Sequence, residues 1–333
     1  MTVAPILSIL SALCLLVSFV SSASAEVCQP FDETSGYWDC LKRPPKWNRT
    51  GITVAGNGTR GSSNIQLASP QGISIDDQDN LYVADYGNDR VQKFVPHSNG
   101  VGITVAGGVY AGKSVGNAPN QLSSPTDVFV DSISNIFIAD YENHRAQLWT
   151  VNATTGVTLA GTGVLYSDYY GVSGNKQGDV YFSLSWGIVK YSLNSSSGTL
   201  VGRISGRPVG LFVDACDNVY VAGGKNGQIS KFTSGNSTEE ILESKLSYPN
   251  DVTLDPYGNL YIVEKDSHSV HRLTVSGKTE VIAGWEGKSG NDSKHLSSPG
   301  SVAMDSEGNI YVSDTDNHRV QKFMLQDGSL ACI

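Results

Sequence analysis

The stretch "SPQGISIDDQDNLYVADYGNDRVQKF", residues 69–94, decides the fold, because the chain writes it again. Residues 298–323 read "SPGSVAMDSEGNIYVSDTDNHRVQKF", with about half of the positions identical and most others exchanged like for like. Three further copies lie between them: "PTDVFVDSISNIFIADYENHRAQLW" from Pro125, "PVGLFVDACDNVYVAGGKNGQISKF" from Pro208 and "PNDVTLDPYGNLYIVEKDSHSVHRL" from Pro249. A sixth, "YGVSGNKQGDVYFSLSWGIVKYSL" at 170–193, lacks the proline and has a shorter middle loop.

Each copy predicts three strands. In the first copy, Gly72-Ile73-Ser74-Ile75 alternates with period two. A turn from Asp76 to Asn80 follows, of the kind an Asx side chain caps by bonding backbone N–H groups. Leu81-Tyr82-Val83-Ala84 is rich in β-formers. The polar loop 85–89 then leads into a third strand at 90–94. Between copies stands a fourth short run, such as Ile52-Thr53-Val54-Ala55 or Ile103-Thr104-Val105-Ala106. Asp85–Arg90, Asp140–Arg145 and Asp314–Arg319 are spaced to brace second strand to third by a charged hydrogen bond.

Four strands per copy, repeating every 39 to 55 residues or so, predict an all-β, six-bladed β-propeller of four-stranded antiparallel blades. One small twisted sheet cannot bury both of its faces, whereas six radial copies cover one another. The chain starts with a fourth-type strand, 52–55, and ends with a third-type strand, 319–324. The amino-terminal strand is therefore expected to complete the last blade and close the ring, with Leu330-Ala331-Cys332-Ile333 as its rival.

Ahead of the repeats, residues 4–20 are nearly all apolar and Ala23-Ser24-Ala25 follows, which predicts a signal peptide at 1–25. Residues 26–51 then form an amino-terminal extension and 52–333 the propeller. A secreted, extracellular protein is expected, with no membrane span after removal of the signal. The net charge of -9 disfavours nucleic acid and acidic membrane surfaces. Cys28, Cys40, Cys216 and Cys332 would remain, an even number suited to disulfides. Cys28–Cys40 is the local choice and Cys216–Cys332 the remainder, with other pairings open. Sequons at Asn48, Asn57, Asn152, Asn194, Asn236 and Asn291 predict a glycoprotein.

The repeated pattern resembles the NHL repeat, most closely at Asn143-His144-Arg145 and Asn317-His318-Arg319, with Asn88-Asp89-Arg90 near them. The resemblance spans nearly the whole mature chain. It brings to mind one secreted relative, the peptidyl-hydroxyglycine lyase of peptide amidation, whose zinc sits on three histidines beside the repeat prolines. Here no histidine flanks those prolines. His144, His268 and His318 fall in equivalent loops of different blades, so they do not converge as a zinc site requires. Tripartite-motif NHL proteins bind RNA, but this chain has neither their Cys/His array nor a basic face. Six-bladed calcium-dependent lactonases suggest another set, Asp127, Asn250 and Asp251 at the channel mouth.

The remaining reading is a binding scaffold. The loops joining fourth to first strands are long at 56–68, 107–123 and 284–296, leading into consecutive blades. With the turns after the second strands, they place Arg60, Tyr86, Tyr110, Lys113, Tyr141, Trp285 and His295 on one propeller face, where rigid scaffolds usually carry binding. The expectation is a non-catalytic scaffold for a protein or glycan, with no cofactor. The alternative is a metal-dependent lyase or hydrolase using calcium or zinc at the channel mouth.

Overall fold

The computed structural model describes residues 45–108, 116–161, 168–192, 195 and 197–326. The expected signal peptide, Cys28, Cys40, Cys332, Tyr110, Lys113 and Asn194 lie outside them.

The chain forms six four-stranded antiparallel sheets. Blade 1 runs through Ile73–Ile75, Leu81–Asp85, Arg90–Phe94 and Ile103–Gly107. Blade 2 comprises Pro125–Val130, Ile136–Asp140, Arg145–Trp149 and Val157–Ala160. Tyr169–Gly174, Val180–Leu184, Gly187–Tyr191 and Thr199–Gly202 make blade 3. Blade 4 is Leu211–Val213, Val219–Ala222, Gln228–Phe232 and Glu240–Ser244, and blade 5 is Pro249–Leu254, Leu260–Glu264, Ser269–Leu273 and Thr279–Gly284. Blade 6 takes Val302–Met304, Ile310–Asp314 and Arg319–Phe323 from the end of the chain, and its outer strand, Ile52–Ala55, from the beginning.

That outer strand pairs Ile52 with Lys322, Thr53 with Gln321 and Ala55 with Val320 across a bulge. The closure expected from the order of strand types is thus the one observed. It extends further than Ile52. Asn48 N–H donates to Met324 O at 2.8 Å and Gln326 N–H to Lys46 O at 2.8 Å. Trp47 is buried between them, edge-on to Tyr261 at 5.5 Å, and its indole N–H donates to Gly308 O at 2.9 Å. The last residues before the first repeat therefore pack as part of the ring, on blades 5 and 6.

Every blade turns on the same device. Asp76 Oδ1 accepts N–H bonds from Gln78 and Asn80 at 3.0 and 2.9 Å. Asp131, Asp214, Asp255 and Asp305 repeat it. The worn third copy keeps the turn with its residues exchanged: Asn175 takes the place of the acid, accepting from Gln177 and Asp179 N–H at 3.1 and 2.8 Å.

The core lies between blades rather than within them. Ile73, Leu81, Val83 and Phe94 of blade 1 meet Tyr311 and Val320 of blade 6, and the other seams are built alike. Around the channel each seam also carries a hydrogen bond. Gly72 N–H donates to Thr126 O, Thr126 Oγ1 to Tyr169 O, Ser183 Oγ to Val209 O, Gly210 N–H to Asn250 O, Asn250 Nδ2 to Gly300 O and Thr315 Oγ1 to Pro70 O. These bonds pin the inner strands at a fixed spacing, so the channel mouth is a preformed rim.

Candidate functional site

The rim is shaped by a clip that recurs in blades 1, 2 and 6. Asp85 ends the second strand of blade 1, fully buried. Its carboxylate accepts from Ala68 N–H at 2.7 Å, Asn88 Nδ2 at 2.8 Å and Arg90 Nε at 2.8 Å. Arg90 then spreads its other N–H groups over loop carbonyls, Ser62 O at 2.8 Å and Ser63 and Gln66 O at 3.0 Å. In blade 2, Asp140 holds Ser123 N–H, Asn143 and Arg145, and Arg145 holds the carbonyls of Asn117, Ala118 and Gln121. In blade 6, Asp314 holds Ser297 N–H, Asn317 and Arg319, which reaches Asp292 O and His295 O. The expected Asp–Arg brace is present, but the arginine's larger task is to fasten the long loop that enters its own blade. Burial pushes these three carboxyls above the usual carboxylate range, against the downward pull of the clip's donors. A buried carboxylate in this position needs its guanidinium, and removing one partner of such a pair costs about 3–5 kcal/mol.

The loops are therefore built parts of their blades. In each, Asn Nδ2 of the clip donates to a glycine carbonyl 27 residues earlier, at Gly61, Gly116 and Gly290. Each then drops along the blade flank, where Asn64 O, Pro119 O and Ser293 O accept from Gly102, Gly156 and Gly51 N–H. Each ends in a fully buried leucine, Leu67, Leu122 or Leu296, plugged into the core between two blades. The arc of loops is thus not confined to one face, as expected, but also covers three flanks. Side chains at 62–65 and 291–294 remain exposed while their backbone is held.

Of the residues singled out from sequence, Arg60 is exposed and Trp285 is 48% exposed, stacked on His295 at 5.8 Å with rings 12° apart. His295 Nδ1 lies 2.8 Å from Asp292 Oδ1. Tyr86 and Tyr141 are half-buried at the start of the 3₁₀ turns Tyr86–Asn88 and Tyr141–Asn143. Tyr141 joins Tyr170 of blade 3, ring centroids 5.5 Å apart, instead of the loops.

The histidines serve the seams. His318 Nδ1 accepts from Ser69 N–H at 3.1 Å, linking blade 6 to blade 1, and His268 Nδ1 accepts from Ser298 N–H at 3.0 Å, linking 5 to 6. His144 Nδ1 lies 2.9 Å from Asp168, beside blade 3. Asp89 does the same work in blade 1, accepting from Ser124 N–H at 2.8 Å. Each of these residues has positive φ, and so do Ser69, Ser124 and Ser298.

Asp127, Asn250 and Asp251 do meet, on a cavity of about 50 Å³ at the waist of the channel that Gln71, Tyr170 and Ser301 also line. Below it the channel widens over Phe129, Phe212 and Leu254. Asp127 accepts from Val128 and Val172 N–H at 2.9 and 2.8 Å. Asp251 accepts from Val252 N–H, Ser301 Oγ and Val302 N–H at 2.9, 2.6 and 3.1 Å. Both side chains keep a little surface toward the narrow channel, but protein surrounds them. Burial drives Asp251 up to about 6. Burial, and then the charge of Asp251, drive Asp127 well above its ordinary value. A calcium ion asks for 6–8 oxygens. Here the three side chains offer at most five oxygens, and the four of the carboxylates already accept hydrogen bonds. Among the described residues no three His, Cys, Asp or Glu side chains are grouped to hold a metal.

Comparison with known proteins supports the architecture. The NHL repeat matches residues 67–94 and 296–323, so the chain carries NHL repeats, each match starting at a plug leucine. No curated protein sequence matches the chain. An auxiliary nutrient binding protein from Bacteroides ovatus superposes with a TM-score of 0.66 at 16% identity, over 85% of this chain and 78% of that one. Virginiamycin B lyase from Staphylococcus aureus gives 0.58 at 14%, over 85% and 100%. A gluconolactonase from Xanthomonas campestris gives 0.61 at 11%, over 85% and 95%. These likenesses establish a shared fold.

The acid pair has a pH signature. Both carboxyls sit above the ordinary 3.8, so between about pH 4 and pH 6 the folded state binds more protons than the unfolded state. Stability contributed at the waist is then highest at low pH and falls as pH rises through that window. Denaturation midpoints measured from about pH 4.5 to 6.5 should decline more steeply for the native chain than for Asp127→Asn, in which Asp251 titrates without a charged neighbour. Equal slopes would show that Asp127 keeps its ordinary carboxyl value in the folded chain.

Proposed function

We propose that the chain is a secreted glycoprotein that acts as a non-catalytic binding scaffold, taking a protein or glycan ligand on the long loops of blades 6, 1 and 2. The observation that carries this reading is the clip: on three consecutive blades the described backbone of the entering loop is fastened, and the side chains at 62–65 and 291–294 face outward. A surface whose backbone is ordered before binding loses less entropy on binding. The fold it shares with auxiliary nutrient binding proteins fits this role. Secretion is supported by the disulfide at Cys216, whose proposed partner is Cys332, and by the exposure of Asn48, Asn57, Asn152, Asn236 and Asn291. Among the described residues no helix is long and apolar enough to cross a membrane.

Two experiments test the two halves. Amino-terminal sequencing of the exported protein should begin at Glu26, and a product retained with Met1 would refute removal of the signal. For binding, Arg60→Ala combined with Trp285→Ala should lower capture of extracellular partners at least tenfold without changing the melt. Shortening the exposed turn at 234–237, between the third and outer strands of blade 4, should leave capture intact. Equal capture by both variants would exclude the loop arc.

A further inference from the structure

Among the described residues the opposite part of the rim carries no Asp–Arg clip. Blades 4 and 5 are entered by short connections, and what stands there is aromatic and cationic. Arg207, just before the inner strand of blade 4, is exposed, and its guanidinium lies over the ring of Tyr170 at 4.2 Å. Tyr141 and Tyr248 stand near enough to favour its charged form, after Tyr170. Tyr170 is fixed from behind: its hydroxyl donates to Asp168 at 2.7 Å, and Asp168 is held by His144. Tyr248 carries Lys265 over its ring at 5.7 Å. Tyr170 also lines the cavity at the channel waist, as does Val209, two residues beyond Arg207.

Arg207 differs from the buried guanidiniums. Arg90, Arg145, Arg272 and Arg319 are buried on carboxylates. Arg207 makes no ion pair among the described residues. A guanidinium held over a phenol ring keeps its edge for other partners. Its free edge then presents parallel N–H donors at a channel mouth, the geometry that matches a carboxylate bidentately.

We propose that Tyr141, Tyr170, Arg207, Tyr248 and Lys265 form a binding site for an acidic sugar, with the uronate carboxylate on Arg207. The neighbours select the class. Tyr141 and Tyr248 are half-buried and can offer a flat face to a ring's C–H surface, while Tyr170, 7% exposed, lies beneath Arg207 and backs it. The second cation, Lys265, extends the positive rim toward a second acidic residue of the same chain. The inference rests on the binding-scaffold reading and names a ligand class for it, at a part of the rim distinct from the loop arc.

The test is calorimetric titration of the full mature chain with oligogalacturonate, a neutral galactan oligomer and oligoglutamate. The variants are Arg207→Gln, Arg207→Lys and the Arg60→Ala/Trp285→Ala arc variant. Because Arg207 is exposed and free of ion pairs, its variants should melt as the native chain does. The site predicts that oligogalacturonate binds, that neutral galactan does not, and that Arg207→Gln weakens binding roughly 10- to 150-fold, the value of a charge-assisted bond. Arg207→Lys should recover only part of that loss, because an ammonium cannot bond bidentately. Equal binding by the native chain and Arg207→Gln overturns this site. If the arc variant alone then loses binding, the scaffold reading stands without it. Arg207-dependent binding of oligoglutamate in preference to oligogalacturonate overturns the acidic sugar, and so does binding of none of the three.

Discussion

A carboxylate buried at the end of a second strand organises this propeller. Asp85, Asp140 and Asp314 each sit where a charge has almost no access to water, and each is surrounded by donors from three directions. One donor is the backbone of the incoming loop, one an asparagine amide and one an arginine. Because leaving any of these acids unpaired is expensive, the loop cannot drift away from its blade. The same arginine then satisfies loop carbonyls that would otherwise depend on water. Loop, turn and third strand thus become one unit, and the leucine that ends the loop fills the seam to the neighbouring blade.

This constraint divides the ring. Blades 6, 1 and 2 carry the clip and the long loops. Blades 3, 4 and 5 lack the arginine at that position. Trp186-Gly187, Gly227-Gln228 and His268-Ser269 stand there instead, and blade 5 keeps an acid, Glu264, that takes Ser247 N–H at 2.7 Å. Without a clip, the entries to blades 4 and 5 are short, and Arg207 and Tyr248 stand at the channel mouth. Ring closure by Ile52–Ala55 places blade 6 beside blade 1, which makes the three clipped blades contiguous and the unclipped ones contiguous as well.

Much of the fold was legible in the repeat itself. The strand types, the Asp-to-Asn turns and the amino-terminal closing strand all follow from period-two patterning and from the order in which strand types occur. The role of Trp47 was not, because a single tryptophan before the first repeat has no periodic partner to reveal its seat. The loops were found by their length but not by their construction. The signal was present as Gly61, Gly116 and Gly290, each nine residues before a repeat proline, with Leu67, Leu122 and Leu296 three residues before it. That pattern lies upstream of the proline at which the recognisable copy begins. Arg207 and Tyr248 each precede a repeat proline and carry no motif of their own. Their meeting with Tyr141 and Tyr170 is a product of ring geometry, which brings residues from four blades to one rim and leaves no trace in local spacing.

The claim on which the account turns is that the long loops are fastened to their blades by buried carboxylates. Hydrogen exchange of the backbone amides of Ala68, Ser123 and Ser297 in the native protein reads those bonds directly. Amides donating to Asp85, Asp140 and Asp314 should exchange as slowly as those of the second strands, all three together. Exchange at the rate of exposed loop amides, with the strands still protected, would contradict it.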